Sequence, residues 1–316
     1  MKILAIINKD EEIRKQSSSG GVFYLLAESV ISRGGVVFGA KFDENFEVIH
    51  GYTETLDGVR DYMTSKYVQS FVGSAYKDAE KFLKEGRPVL FSGTPCQVAG
   101  LRSYLQRDYE NLLTLDFICH GVPSRRVWRE YIEELSEGKE IEAVNFRDKT
   151  KGWRIFSLKV KYTDGSVYVK DLQTDIFTKG FLSNLYLRPS CYDCKFRGLE
   201  RPSDVTVADF WGVQSELPEL FDDKGTSIAI VRNDKVLDII EEKKETLVTK
   251  EISEEVVRRT NSALYRSCRP HRKREEFFSK NYKSLSKHIY KYVRETPVRK
   301  IRQKLFILKK KLKGAR

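Results

Sequence analysis

The chain has 316 residues, 40% of them hydrophobic, with 57 Lys and Arg against 45 Asp and Glu for a formal net charge of +12. That length supports one large domain or two modest ones, and no apolar run approaches the ~18 residues that mark a membrane-spanning helix. Arg299, Lys300, Arg302, Lys304, Lys309, Lys310, Lys311, Lys313 and Arg316 carry much of the excess charge, so the body is only mildly basic and no nucleic-acid partner is expected. The N-terminal stretch MKILAIINKDEEIRK is too short in its apolar part and too charged afterwards for a secretory signal. A cytoplasmic protein is therefore expected, and its five cysteines point to metal or redox chemistry rather than disulfides.

In chain order, residues 3–7 predict an edge strand. A small-residue turn, Ser17, Ser18, Ser19, Gly20 and Gly21, feeds a helix over 22–32. Such a turn offers amides and hydroxyls to an anion such as a cofactor phosphate, and equally supplies Ser17 to Ser19 as ordinary N-caps. Residues 36–40 predict a strand paired with 47–50. The segment 65–70 combines a cation, a phenol, an amide and two hydroxyls, which suits a polar ligand and equally an ordinary surface loop, and a helix is expected over 76–84.

The stretch 88–124 organises the rest. Residues 89–91 form a short apolar run of the buried parallel-strand kind. Gly93 ends it, Thr94 suits an N-cap and Pro95 the first helical position, which places Cys96 in the first turn of a helix reaching about Gln106. Unpaired amides and the helix dipole there favour a negatively charged sulfur. A second strand over 112–118 ends at Cys119, His120 and Gly121. If the two strands are parallel neighbours, both cysteine turns lie at the carboxyl edge of the sheet, where open α/β sheets bind ligands.

Beyond this stretch the pattern predicts a helix over 128–135, a strand over 141–147, and a hairpin of 156–162 and 167–172 closed by Asp164-Gly165. A helix over about 175–186, the loop carrying Cys191 and Cys194, a strand over 204–208, and a last strand and helix over 226–231 and 236–242 follow. The expected fold is α/β, with a mixed, largely parallel sheet flanked by helices. An antiparallel hairpin insertion at about 141–173 and a C-terminal basic amphipathic helix complete it. Residues 1–265 are expected as one domain and 266–316 as a basic helical tail. Within the tail Val298, Ile301, Leu305, Leu308 and Leu312 line one helix side, widened by Phe306 and Ile307. Residues 297–316 thus suit an anionic membrane surface at the inner face, at about 1 kcal/mol per basic residue, or docking on the body or an acidic partner.

The Cys191-x-x-Cys194 pair suits zinc, an iron–sulfur cluster or a dithiol couple. With Cys96 and Cys119 it makes four thiolates from three loops, enough for a four-cysteine metal site. Taken singly, Cys96 and Cys119 read as small buried residues, and their joint placement on neighbouring turns carries the metal reading. Cys268 sits in a basic stretch and is read as a bystander. His120 is a ligand or proton donor, or a hydrogen-bonded structural residue. His50, His271 and His288 are scattered and suggest no histidine metal site.

The motifs SSSGGVF (17–23), SKYVQS (65–70), GTPCQVAGLR (93–102), DFICHGVPS (116–124), RPSCYDCKF (188–196) and ADFWG (208–212) together resemble the coenzyme F420 hydrogenase/dehydrogenase beta subunit family. The likeness runs in order from about residue 10 to 261–264. It implies an iron–sulfur flavoprotein, with FAD on an α/β core and a [4Fe-4S] cluster beside it. Carried over by position, Cys96, Cys119, Cys191 and Cys194 become the cluster ligands, and Ser18, Ser19, Gly20, Gly21, Lys66, Gln69 and Thr94 fall in motifs assigned to FAD. Lys66 is then expected to pair with a flavin phosphate or to steady a reduced flavin.

Many relatives begin with a cysteine-rich ferredoxin-like segment. This sequence starts directly with the α/β body, so a separate ferredoxin-like electron-transfer protein is the expected partner. Coenzyme F420 or NAD(P)H is the expected hydride partner, a small-molecule redox substrate is expected as well, and a cell-surface polysaccharide pathway is one context the resemblance implies. The competing reading is a non-catalytic scaffold with a structural zinc held by the four cysteines.

Overall fold

The computed structural model describes residues 1–294; the amphipathic stripe expected over 297–316 lies outside them. Among the described residues, eleven strands form two sheets. They are β1 (Lys2–Asn8), β2 (Val36–Phe42), β3 (Val48–Thr53), β4 (Val89–Ser92), β5 (Leu112–Phe117), β6 (Ile141–Asp148), β7 (Ser157–Tyr162), β8 (Val167–Asp171), β9 (Val205–Asp209), β10 (Ser227–Val231) and β11 (Leu247–Glu251). The large mixed sheet runs β11-β1-β10-β9-β5-β4-β2-β3, and β6, β7 and β8 make a separate antiparallel sheet. Strands β2, β4, β5 and β9 are successive parallel neighbours. Antiparallel β10 lies between β9 and β1, so β1 again points the same way as the parallel group.

Alternation along the central strands explains the layers. Val89 and Phe91 of β4 face helices Ala75–Lys84 and Pro95–Leu105, joining Phe38, Ala79, Phe82, Val98 and Leu101. Leu90, between them, faces the opposite layer with Leu25, Leu26, Val30, Val236 and Ile239 from helices Val22–Ile31 and Asp234–Glu242. Each buried Val, Leu, Ile or Phe side chain among them contributes about 1.5–3 kcal/mol of transfer free energy. The second sheet packs its Phe146, Leu158 and Val160 with Trp128, Tyr131 and Phe177.

Several expectations are corrected. β1 is not an edge strand, because β11 pairs with its free side. Strand β11 and helix Glu254–Thr260 extend the α/β body past the strand and helix expected to be its last. The helices Arg274–Ser279 and Leu285–Val293 fall within the expected helical tail, and Phe277, Leu285, Ile289 and Val293 belong to the core of the second sheet. The helix expected over about 175–186 is Ile176–Leu182: Asp175 caps it, and it ends where Asn184 turns left-handed at φ 61°. Ser17 to Ser19 do not cap the helix Val22–Ile31. Gly21 holds that position at φ 90°, and Ser17 instead closes a preceding short helix, Glu11–Gln16, by donating its hydroxyl to Ile13 O at 2.8 Å. Among the described residues no helix is long and apolar enough to cross a membrane.

Candidate functional site

Parallel pairing of β4 with β5, and of β5 with β9, brings the turns after Ser92, Phe117 and Asp209 to one sheet edge. Thr94 is the N-cap of helix Pro95–Leu105 with Pro95 next, so Cys96 lies in its first turn and its side chain reaches solvent. The loop after β5 then meets the loop after helix Ile176–Leu182. Pro123 bridges Leu187, Ser124 N donates to Tyr186 O at 3.0 Å and Arg188 N to Val122 O at 2.9 Å. This stitch draws the Cys119 turn against Cys191.

Gly121 marks the approach. Its φ is +148°, and a Cβ there would stand 2.9 Å from Leu187 Cδ1, 3.3 Å from Cys191 Cβ and 3.7 Å from Cys191 Sγ. The sulfurs sense one another. Burial pushes the Cys119 thiol up to about 12, with the neighbouring Cys191 and Cys96 sulfurs adding to the rise. Burial likewise raises the Cys191 thiol, helped by Cys96 and Cys194. The turns of Cys96 and Cys119 thus share this edge, with the Cys119 turn lying against Cys191. Among the described residues no group of three or more His, Cys, Asp or Glu side chains is drawn tightly enough to hold one metal ion.

Two further residues join them without a sequence signal. Cys268, expected as a bystander, donates its thiol to Cys191 O at 3.7 Å, while its neighbour Ser267 accepts the Cys194 N–H at 3.0 Å. Arg197 donates through Nη1 to Cys119 O at 2.6 Å, and its buried Nε has no partner. His120 takes the structural option: its Nε2 and Asn184 Oδ1 are 2.7 Å apart.

The residues of the small-residue turn are largely engaged by the protein itself. Ser19 Oγ donates to Thr226 O at 2.7 Å, Gly20 N to Ser227 Oγ at 2.8 Å, and Asn8 N to Gly20 O at 2.8 Å. A Cβ on Gly20 would sit 2.2 Å from Ile6 O, so glycine is required there by the strand behind it. Ser18 faces the other way, its hydroxyl 3.0 Å from Ser65 Oγ, and Gly21 leaves the first turn of helix Val22–Ile31 without a side-chain cap. The Lys66 ammonium donates to the carbonyls of Asp61 at 2.6 Å and Met63 at 2.8 Å, and burial pulls it down to about 7. Gln69 hangs its backbone N–H on Pro123 O at 3.4 Å, tying the 65–70 segment to the Cys119 loop. Thr94 turns its hydroxyl to Gln97 and Cys96.

Arg147, at the end of β6, clamps this turn. Its enclosed guanidinium donates through Nη2 to Ser18 O and to Asp209 Oδ1, both at 2.7 Å, and lies over the Phe156 ring at 4.2 Å. Asp209 Oδ1 also accepts from Trp153 Nε1 at 2.7 Å. Trp153 stacks on the half-exposed Trp211, centroids 5.1 Å apart at 7°. An acidic strand end, joined to Ser18 through Arg147, and an aromatic wall thus lie beside this turn.

No curated protein matches the chain. Among solved structures it is similar to a chain of the F420-reducing [NiFe] hydrogenase complex from Methanosarcina barkeri, a xenon derivative. That match has 18% identity over 80% of this chain and 83% of that one, with a TM-score of 0.54, which establishes a shared fold. The family model for the C terminus of the coenzyme F420 hydrogenase/dehydrogenase beta subunit matches residues 86–255, the segment that holds the turns of Cys96, Cys119, Cys191 and Cys194. The chain belongs to the coenzyme F420 hydrogenase/dehydrogenase beta subunit family, whose role is redox chemistry.

Proposed function

We propose that this protein is an oxidoreductase that binds FAD and a [4Fe-4S] cluster and couples hydride transfer at the flavin to one-electron transfer through the cluster. What supports the reading is the placement of the turns: those of Cys96 and Cys119 follow neighbouring parallel strands at one sheet edge, and Gly121 in the Cys119 turn lies against Cys191 of the Cys191-x-x-Cys194 loop. Four soft sulfurs suit iron–sulfur ligation. Arg197, with a buried unpartnered Nε beside Cys119, supplies positive charge to such an anionic centre.

The flavin reading is supported by the uncapped helix start at Gly21, the Ser18 and Ser65 hydroxyls, and the buried unpartnered Nε of Arg147. Ser18, Gly21 and Gln69 have atoms left for a ligand. Ser19, Gly20 and Lys66 act through the backbone they hold in place. When bound, the flavin exchanges both hydrides and single electrons, whereas the cluster carries one electron at a time.

Anaerobic purification followed by iron, sulfide, zinc and flavin analysis tests the reading. About four irons and four sulfides with one FAD per chain are expected, together with bleaching of the flavin band by one of NADH, NADPH or reduced coenzyme F420. One tightly bound zinc without flavin overturns it in favour of a scaffold.

A further inference from the structure

Thr94 faces Cys96 through a line of hydrogen bonds whose directions can all be assigned. Its N–H and its hydroxyl each stand 3.0 Å from Gln97 Oε1, and its hydroxyl oxygen is 3.1 Å from Cys96 Sγ. A backbone N–H only donates, so the Gln97 atom facing it is the amide oxygen and the amide nitrogen points away. That nitrogen donates to Ser70 Oγ at 2.8 Å. Ser70 Oγ is 2.9 Å from His50 Nδ1, and His50 Nε2 is 2.9 Å from the Ser92 carbonyl. The carbonyl only accepts, which puts the ring proton on Nε2 and makes Nδ1 the acceptor of the Ser70 hydroxyl. Thr94 therefore gives its one hydroxyl hydrogen to Gln97, and Cys96, as a thiol, donates its S–H to Thr94.

A metal-bound thiolate reverses the last link. It has no hydrogen to donate, and it competes with Gln97 Oε1 for the single Thr94 hydroxyl hydrogen. Gln97 Oε1 keeps the Thr94 N–H whichever way the hydroxyl turns, and a hydrogen bond to a charged acceptor is the stronger one. We propose that Thr94 is a positioning residue for the Cys96 sulfur: its hydroxyl turns from Gln97 to the ligated sulfur and raises the reduction potential of the centre. The line through Ser70 and His50 holds Gln97 as the alternative acceptor. The inference rests on the cluster reading above. Its basis is that hydrogen bonds to ligand sulfurs stabilise the more negative, reduced form.

The test uses the full chain, reconstituted anaerobically with iron and sulfide, in wild-type, Thr94→Val, Thr94→Ser and Gln97→Leu forms. Iron and sulfide content is measured first, then the midpoint potential by EPR-monitored titration. Thr94→Val is expected to make one-electron reduction about tenfold less favourable, about 59 mV more negative, at unchanged cluster content. Thr94→Ser, which keeps the hydroxyl, is expected to match wild type. Gln97→Leu removes the competing acceptor and is expected at or above the wild-type potential. A general loosening of the helix start would lower Thr94→Val and Gln97→Leu alike, so a lowered Gln97→Leu potential overturns the proposal. So does a Thr94→Val potential equal to wild type. If Thr94→Val takes up no cluster, the sign in Gln97→Leu decides alone. Wild-type protein that binds no iron and sulfide fails the cluster reading itself and removes this proposal with it.

Discussion

The Arg147 clamp predicts a large energetic coupling between the two sheets. In the ion pair the Arg147 side chain is 0% exposed and Asp209 18%. Asp209→Ala leaves an enclosed guanidinium without its counter-ion, which costs about 3–5 kcal/mol. Arg147→Met is milder, because Asp209 keeps the Trp153 donor and some solvent. Its main loss is the charge-assisted bond to Ser18 O, about 2–3 kcal/mol. The double variant strands no charge, so its loss falls short of the sum by about 2 kcal/mol or more. Urea unfolding of the four forms, followed by circular dichroism and accepted only at constant m, reads this cycle. Losses that add to within about 0.5 kcal/mol would falsify the claim that this buried pair fastens the hairpin sheet to the turn at Ser18.

Two other perturbations address the same region. Gly20→Ala puts a methyl against Ile6 O at 2.2 Å and Ser227 N at 2.8 Å, backbone atoms that cannot step aside. A loss of about 3 kcal/mol, the upper end for overpacking, is expected in urea unfolding, and a neutral result contradicts the close approach. Burial holds His50 near 4 instead of 6.5, so between those pH values the unfolded chain binds the extra proton and stability falls as pH falls. The full drop on acidification from 6.5 to 4 is about 3 kcal/mol. His50→Gln should flatten the stability curve in that window, and an unchanged slope would show that His50 is not buried neutral.

The part of the fold that carries the cysteines was legible because its signals are local. Thr94 and Pro95 announce a helix start after an apolar run, and the parallel partnership of β4 and β5 follows from two such runs joined by a helix. The stretch Glu11–Gln16 is a helix with Ile13 as its one large apolar residue, so no periodicity marks it. Asp10 caps it, and Arg14 anchors it to Asp222 at 2.6 Å, a partner some two hundred residues away. Four of the five β11 residues are exposed, which hides the alternation that would have revealed the strand and moved β1 off the edge. Nothing in their local sequence singles out Arg147, Arg197 or His50. Only the crossing of distant segments encloses them, and no spacing rule anticipates that. Cys268 escaped for the same reason, since its approach to Cys191 depends on the packing of a late segment.

Iron and sulfide stoichiometry in a cysteine-to-serine series tests the central claim most directly. Cys96→Ser, Cys119→Ser, Cys191→Ser and Cys194→Ser are each expected to lose most of the iron and sulfide that reconstituted wild-type protein holds. Cys268→Ser, whose sulfur turns to a backbone carbonyl, is expected to keep them. Full iron and sulfide in any one of the first four variants, or their loss in Cys268→Ser alone, would contradict the assigned ligand set.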